Sequence, residues 1–371
     1  MNIGDRPIST QHAPYIIAEL GVNHDGSVER ALQLTDAAAT AGADAIKLQL
    51  FRADLLMGKA ARLAAYQKSA GERDPAAMLR RLELSVDDMR PVVALAHKRG
   101  IHAIVTVFSL ALVDEAERLP WDAYKTASPD IVHKPLLDRL ARTARPLIVS
   151  TGASTLDEVL RAVQWLSAAH DRLALLQCVS SYPTPHDLAE LGGIAALQSA
   201  CPALPIGYSD HTPDESTAID AVNLGACILE KHFTHDQRAQ GPDHAASLAA
   251  QGLALYCMNA RGTHAVRAAA HTGTHDLPAP LAGALSLALA PPPGALTAKR
   301  VLDIERDVRT VSRQSLTTTR DLPSGHTLTR ADLTFKRPGT GLPPFEIDSV
   351  IGRSLARSID TDMVLTREDL A

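Results

Sequence analysis

Short apolar, β-branched runs alternate with longer stretches of helical period through the first two-thirds of the chain, and this recurrence governs how it can fold. The runs are YIIAEL (15–20), AIKLQL (45–50), HAIVTV (102–107), AYKTAS (123–128), PLIVS (146–150), LALLQCV (173–179), PIGYS (205–209) and ACILEKH (226–232). Between them, SVERALQLTDAAATAG, VDDMRPVVALAHKRG, LDEVLRAVQWLSAAH and DESTAIDAVNLG carry apolar residues at helical spacing. Runs so continuously apolar read as strands buried on both faces of a parallel sheet. Eight such β/α units predict an α/β fold of the TIM (β/α)8 barrel type, since a doubly wound sheet rarely needs eight regular repeats. The connection at 51–85 after the second strand is long, and on a barrel such loops shape the substrate site.

The pattern fades after about residue 265. Residues 1–270 are therefore expected to form the barrel, and 271–310, rich in Pro, Ala and Gly, a linker. Residues 311–371 bring turn signals at Pro323-Ser324-Gly325 and Pro338-Gly339 and read as a small β-rich domain. A core that small predicts docking onto something larger. A net charge of −5 argues against a general nucleic-acid or membrane-surface binder. Cys178, Cys201, Cys227 and Cys257 show no C-x-x-C spacing, so a reduced, cytoplasmic protein is expected. The opening MNIGDRPISTQHAP lacks the apolar region of a signal peptide, and LAGALSLALA (281–290) is too short to span a bilayer.

On a TIM barrel, chemistry collects at the carboxyl ends of the strands. There the sequence places Glu19, Lys47, Gln49, Thr106, Lys125, Ser128, Ser150, Ser180, Tyr182, Ser209, His211 and Glu230 to His232. Serines and threonines close strands routinely as turns and caps. Buried lysines, a glutamate and two histidines are costly unless paired or ligand-bound, so that account does not cover them. Lys47, Lys125, Thr106, Ser128, Ser150 and Ser209 make a cationic, hydroxyl-rich cradle suited to a phosphorylated carboxylic acid. His211 and His232, on adjacent strands, can meet at one metal and leave positions open for water and substrate. A pair of satisfied core histidines is the alternative.

These residues sit in stretches that resemble N-acetylneuraminate (sialic acid) synthases, the nonulosonic acid synthases with a C-terminal antifreeze-like (SAF) domain. The stretches are IAELGVNHDGSVERALQLTDAAATAGADAIKLQLF, KTASPDIVHKPLLDRLARTARPLIVSTGAST, CVSSYPTP, IGYSDHT, ILEKHFT and GPDHAASL, then RQSLTTTRDLPSGHTLTRADLTFKRPGTGLPP and VIGRSLARSIDTDMVLTREDL. They cover nearly the whole chain in order. The resemblance implies condensation of phosphoenolpyruvate (PEP) with an N-acetylated hexosamine, typically N-acetylmannosamine, and water, with C–O cleavage. It implies a divalent metal, manganese or magnesium, on His211 and His232. PEP binding falls to Lys47, Thr106, Lys125, Ser128, Ser150, Ser180 and Ser209, and sugar contacts to Gln49, Tyr182 and Asp243. Arg337 is implied to reach the acceptor from the partner's small domain in a domain-swapped homodimer.

Glu19 is the candidate for proton transfer at the aldehyde oxygen. Asp130 is a candidate for handling the water, or else an N-cap ahead of KPLLDRLA. VTVFS (105–109), KTASPD and the SLAA after GPDHA depart from the commoner STPFD, KIASGD and SLEP, which bears on sugar preference. Three alternatives stay open: a legionaminic or pseudaminic acid synthase using a 2,4-diacetamido hexose, an inactive sugar-binding homologue, and a PEP-aldose-phosphate synthase.

Overall fold

The computed structural model describes residues 1–271 and 298–371. The eight expected strands are β1 (Tyr15–Gly21), β2 (Ala45–Leu50), β3 (His102–Val107), β4 (Ala123–Thr126), β5 (Leu147–Ser150), β6 (Leu173–Cys178), β7 (Ile206–Asp210) and β8 (Ile228–His232). They form a closed parallel barrel in chain order, and β8 pairs with β1 so that His232 lies opposite Glu19. β4 stops at Thr126, short of the expected Ser128, because Ser128–Val132 turns into a 3-10 helix with Pro129 in its first turn.

Alternation along each strand divides the side chains into two cores. Outward residues such as Ile16, Ala18, Ile46, Leu48, Val105 and Leu175 pack against the surrounding helices, including Val28–Ala41 and Val86–Lys98. Inward residues Tyr15, Ile17, Ala45, Ile104, Ala123, Ile148, Ala174, Leu176 and Ile228 fill the lower barrel, where Ile3 and Ile8 join them. Ile3 belongs to a short N-terminal hairpin, Asn2–Ile3 paired with Arg6–Pro7, which closes the floor. Each buried aliphatic side chain here contributes roughly 1.5–3 kcal/mol. Gly207 is the inward residue of β7 at this level. A Cβ there would overlap Ile228 O and stand 2.5 Å from Leu176 Cδ2, so no side chain fits.

Local sequence sets the helix starts. Ser27 accepts from Arg30 N at 3.3 Å, and capping boxes at Ser85/Asp88 and Thr155/Glu158 satisfy first-turn amides. The 51–85 connection carries three helices, Ala53–Leu56, Ala65–Ser69 and Pro75–Leu82. Phe51, Leu56, Met57, Met78, Leu79 and Leu82 gather there with Phe108 into an apolar cluster.

Most of the expected linker, including the apolar run at 281–290, lies outside the described residues. Its described end is built: a 3-10 turn, Asp303–Glu305, leads into a helix, Arg306–Ser312, held against the barrel's upper loops. Next comes the small domain, with antiparallel β9 (Ser315–Thr318) and β10 (Leu333–Lys336) and a core of leucines, Phe335, Ile347, Val350 and Ile359. Its LTRADL and LTREDL stretches repeat one device. Thr329 and Thr366 each donate to an aspartate, Asp332 and Asp369, that also takes an arginine, Arg320 and Arg357. The domain docks on its own barrel: Arg337 N donates to Leu56 O (2.8 Å), Gly58 N to Arg337 O (3.0 Å) and Gln314 Nε2 to Phe108 O (2.9 Å). No described helix is long and apolar enough to cross a membrane.

Candidate active site

Two residues above the apolar floor, the inward side chain becomes polar on seven of the eight strands, Cys178 standing at that level on β6. Ile17 is followed by Glu19, Ala45 by Lys47, Ile104 by Thr106, Ala123 by Lys125, Ile148 by Ser150, Gly207 by Ser209 and Ile228 by Glu230. Strand alternation alone therefore aims these groups into one space. That space is a cavity of about 920 Å³ including its open mouth. Glu19, Lys47, Gln49, Thr106, Lys125, Ser128, Ser150, Ser180, Tyr182, Ser209, His211, His232, Asp243 and Arg337 all line it, and Asp130 does not.

One wall carries the lysines. Lys47 Nζ stands 2.6 Å from Glu19 Oε2 and donates to Thr106 Oγ1 at 3.0 Å. Lys125 Nζ lies 3.6 Å from Glu230 Oε1, which also accepts from Ser209 Oγ at 3.0 Å. Burial pulls the Lys125 pKa down, whereas at Lys47 burial is outweighed by the charges of Glu19 and Glu230 together with the Glu19 hydrogen bond, and the pKa rises. The cradle read as cationic from sequence is thus balanced by two carboxylates. Burial raises Glu19 against the pull of Lys47. At Glu230 burial is outweighed by Lys125 and Lys47, and that group is held lower. Beside this wall, Gly152 lies between two serines. A Cβ on it would stand 2.8 Å from Ser128 Oγ and overlap Ser180 Oγ, while its N–H donates to Ser128 Oγ at 3.0 Å.

The other wall carries the imidazoles. The His211 and His232 rings are 5.2 Å apart between centroids, with the Tyr182 ring 4.1 Å from His211 and tilted by 38°. His211 Nδ1 lies 2.7 Å from Val179 O; a carbonyl only accepts, so Nδ1 carries a proton. Nε2 is the nitrogen a cation would take in exchange for its own proton, since burial at His211 is outweighed by Cys178 and the Val179 carbonyl and the ring is biased toward its charged form. His232 Nδ1 is buried without a hydrogen-bond partner, 3.7 Å from Asp243 Oδ2. Burial, then the charge at His211, holds the His232 pKa well below its ordinary value. A neutral, unpartnered imidazole beside a second whose outer nitrogen is fixed is the donor chemistry a divalent cation takes. No group of three or more His, Cys, Asp or Glu among the described residues is arranged to hold a metal, so water and substrate would complete the shell. Gln49 Nε2 donates to Glu19 Oε1 at 2.7 Å, and Asp243 is raised to about 6 by burial and by the nearby Glu19 charge.

The mouth is bordered by elements remote in sequence. Tyr66, from the 51–85 connection, stacks 4.8 Å from Tyr182. The Arg337 guanidinium lies 5.6 Å from the Phe108 ring centroid, and its buried Nε has no hydrogen-bond partner. The arginine expected from a partner subunit is present here in the chain's own cavity.

Asp130 needs correcting as a helix cap. It is buried beside the cavity but not among its lining residues, and its Oδ1 accepts from Gln314 Nε2 at 3.3 Å. It does not cap the helix Lys134–Ala141, because His133 Nδ1 accepts from Leu136 N at 3.2 Å and fills that role. Sequence reasoning left Glu230, Gly152 and Tyr66 without a role. Glu230 was open to discovery by counting back two from His232 along the strand; Tyr66, in a loop without period, gave no such signal.

With the geometry in view, the comparisons are specific. Residues 34–272 match the NeuB family and residues 313–371 the SAF domain. The chain is 33% identical to an N,N'-diacetyllegionaminic acid synthase of Legionella pneumophila, over 99% of this chain and 97% of that one. It is 31% identical to an N,N'-diacetyllegionaminic acid synthase of Campylobacter jejuni, over 94% and 98%. The crystal structure of the spore coat polysaccharide biosynthesis protein spsE from Bacillus subtilis superposes with a TM-score of 0.81 at 29% identity, covering 100% of this chain and 99% of that one. The barrel, its polar inner layer and the appended small domain thus belong together, and this chain is a member of the NeuB family, the synthases of nonulosonic acids.

Proposed function

We propose that this enzyme condenses PEP with an open-chain acetamido hexose and water, giving a nine-carbon keto acid and inorganic phosphate. The observation that carries the reading is the meeting of two chemistries in one cavity. Lys47, Lys125 and the hydroxyls of Thr106, Ser128, Ser150, Ser180 and Ser209 suit a phosphorylated carboxylate, and His211, His232, Glu19 and Asp243 surround space for an aldehyde. His211 and His232 would hold a manganese or magnesium ion. When bound there, the ion supplies positive charge against Glu19 and Glu230 and Lewis acidity toward a carbonyl oxygen.

The chain's own groups divide the remaining work. The lysines and hydroxyls fix PEP so that its carbon three meets the aldehyde carbon, and a carbon–carbon bond forms between them. Glu19, whose buried carboxyl is biased toward its protonated form and oriented by Gln49, gives the aldehyde oxygen its proton. Water adds at carbon two, losing a proton to Asp243, whose pKa of about 6 suits a base near neutrality. The carbon two–oxygen bond to phosphate then breaks with its electron pair leaving on phosphate, and the added hydroxyl gives its remaining proton to that departing phosphate and becomes the ketone. Phosphate oxygen comes from PEP, not from water, which labelled water tests by the mass of the released phosphate.

For the acceptor, we infer a 2,4-diacetamido hexose. Val22, Phe51, Leu56, Met78, Leu79, Leu82 and Phe108 give the cavity an apolar flank, the surface that acetyl methyl groups prefer. Two relatives of similar length make the N,N'-diacetyl product. N-acetylmannosamine is the second reading, favoured by Arg337, a single guanidinium suited to one acetamido carbonyl. Phosphate release measured with each acceptor decides: a higher kcat/KM for N-acetylmannosamine overturns the first choice, and release with neither overturns both. We further propose a homodimer in which the small domains are exchanged, each making on the partner's barrel the docking contacts that the structure holds within one chain.

A further inference from the structure

Glu305 belongs to neither the barrel nor the small domain, yet it is 1% exposed and lies against the anion-binding wall. Its Oε1 accepts from two backbone amides, Ala153 N at 2.6 Å and Ser180 N at 2.8 Å. Oε2 accepts from Leu302 N at 2.9 Å, which fixes the carboxylate's own orientation. Ala153 follows β5 and Ser180 follows β6, so one side chain joins two adjacent strand-end loops.

Those loops carry the hydroxyl cradle. Ala153 is adjacent to Gly152, which sits between Ser128 and Ser180. Ala153 also has a φ of 49°, a left-handed conformation that costs a residue with a Cβ about 1–3 kcal/mol and persists only where surroundings enforce it. The enforcement comes from one segment. Glu305 takes the Ala153 N–H, while Arg309 and Arg313 donate to its carbonyl at 2.5 and 3.2 Å. Both arginines are anchored to Glu158, each at 2.7 Å. Lys299 points back to the same region, with Nζ 3.4 Å from Cys178 O. From the segment's other side, Val308 and Val311 pack on Ala64, and Asp307 accepts from Ala65 N at 2.7 Å.

We propose that Glu305 is a positioning residue for the PEP half of the site: it clamps the β5 and β6 loops so that the Ser128, Gly152 and Ser180 cradle has its anion-binding shape. The segment joining the two domains therefore completes the anion subsite, while Arg337 completes the acceptor side. This rests on the PEP-dependent reading above.

The test compares the full-length wild type with Glu305→Ala and Glu305→Gln. Glutamine keeps one oxygen able to accept both amides but cannot accept from Leu302 N. Expected is a rise in the PEP KM of at least about tenfold for alanine and about threefold for glutamine. The acceptor KM stays within about twofold in both, and inorganic phosphate weakens as an inhibitor in parallel with PEP. A residue that only stabilised the fold would move the melting temperature and both KM values together. Parallel rises, or an unchanged PEP KM, overturn the proposal; should the alanine variant not fold, the glutamine variant alone reads the same two outcomes. A wild type that releases no phosphate from PEP with either acceptor overturns the functional reading and this inference with it, whereas an active wild type with no KM split overturns this inference alone.

Discussion

Glu19 and Asp243 differ from the cavity's third carboxylate, Glu230, in how burial and neighbouring charge balance out. Two lysines hold Glu230 lower, while burial raises the other two. Asp243, at about 6, is largely ionised at neutral pH and free to take a proton, whereas Glu19 is biased toward carrying one, which is how a site supplies acid and base together. Glu19→Gln should lower kcat by about 10²–10⁴-fold with the PEP Kd little changed, measured by steady-state kinetics and calorimetry. His211→Ala and His232→Ala should each weaken Mn²⁺ binding at least about tenfold, seen by electron paramagnetic resonance; undiminished binding in both would remove the ligand pair. Asp130 makes a prediction about stability. Burial, only partly offset by Arg337, raises it to about 7, so between pH of about 4 and 7 the folded state holds a proton that the unfolded state has lost. That contribution is complete below the unfolded pKa and disappears as pH rises through the folded one, on the order of 4 kcal/mol in all. Asp130→Asn should flatten the fall in melting temperature over this window; an unaltered slope would mean that another group sets it.

At the scale of elements, the barrel was legible because eight strands buried on both faces leave eight apolar runs. The polar inner layer was legible because each run ends in residues that a core would not tolerate. What escaped lay where no period operates. β4 was read too long because Ser128 and Pro129 begin a turn of helix, a choice made by proline chemistry and not by hydropathy. Asp130 looked like a cap in sequence, yet His133 sits nearer the helix and competes for the same amides. Glycines were equally silent, since their role depends on what faces them. Gly207→Ala should destabilise the barrel by about 1–3 kcal/mol in chemical denaturation, because a methyl group there overlaps the β8 backbone. Gly152→Ala should instead act on substrate, raising the PEP KM by thrusting a methyl group between the Ser128 and Ser180 hydroxyls.

For the whole molecule, the issue is whose small domain serves which barrel. Mixing Glu19→Gln and Arg337→Ala subunits under exchange conditions distinguishes the two connections. With exchanged domains, half of the dimers are mixed and each regenerates one intact cavity, restoring about a quarter of wild-type activity. With each domain on its own barrel, no intact cavity forms and activity stays at the level of the parent variants. Arg337→Ala alone should raise the acceptor KM more than that of PEP. The hairpin beneath the barrel bears on traffic as well. With Ile3 and Ile8 packed at the base, the cavity among the described residues is a vessel whose neck is framed by Tyr66 and Arg337. Whatever settles lowest has to arrive first and depart last, so the order of loading is written into the architecture before any chemistry begins.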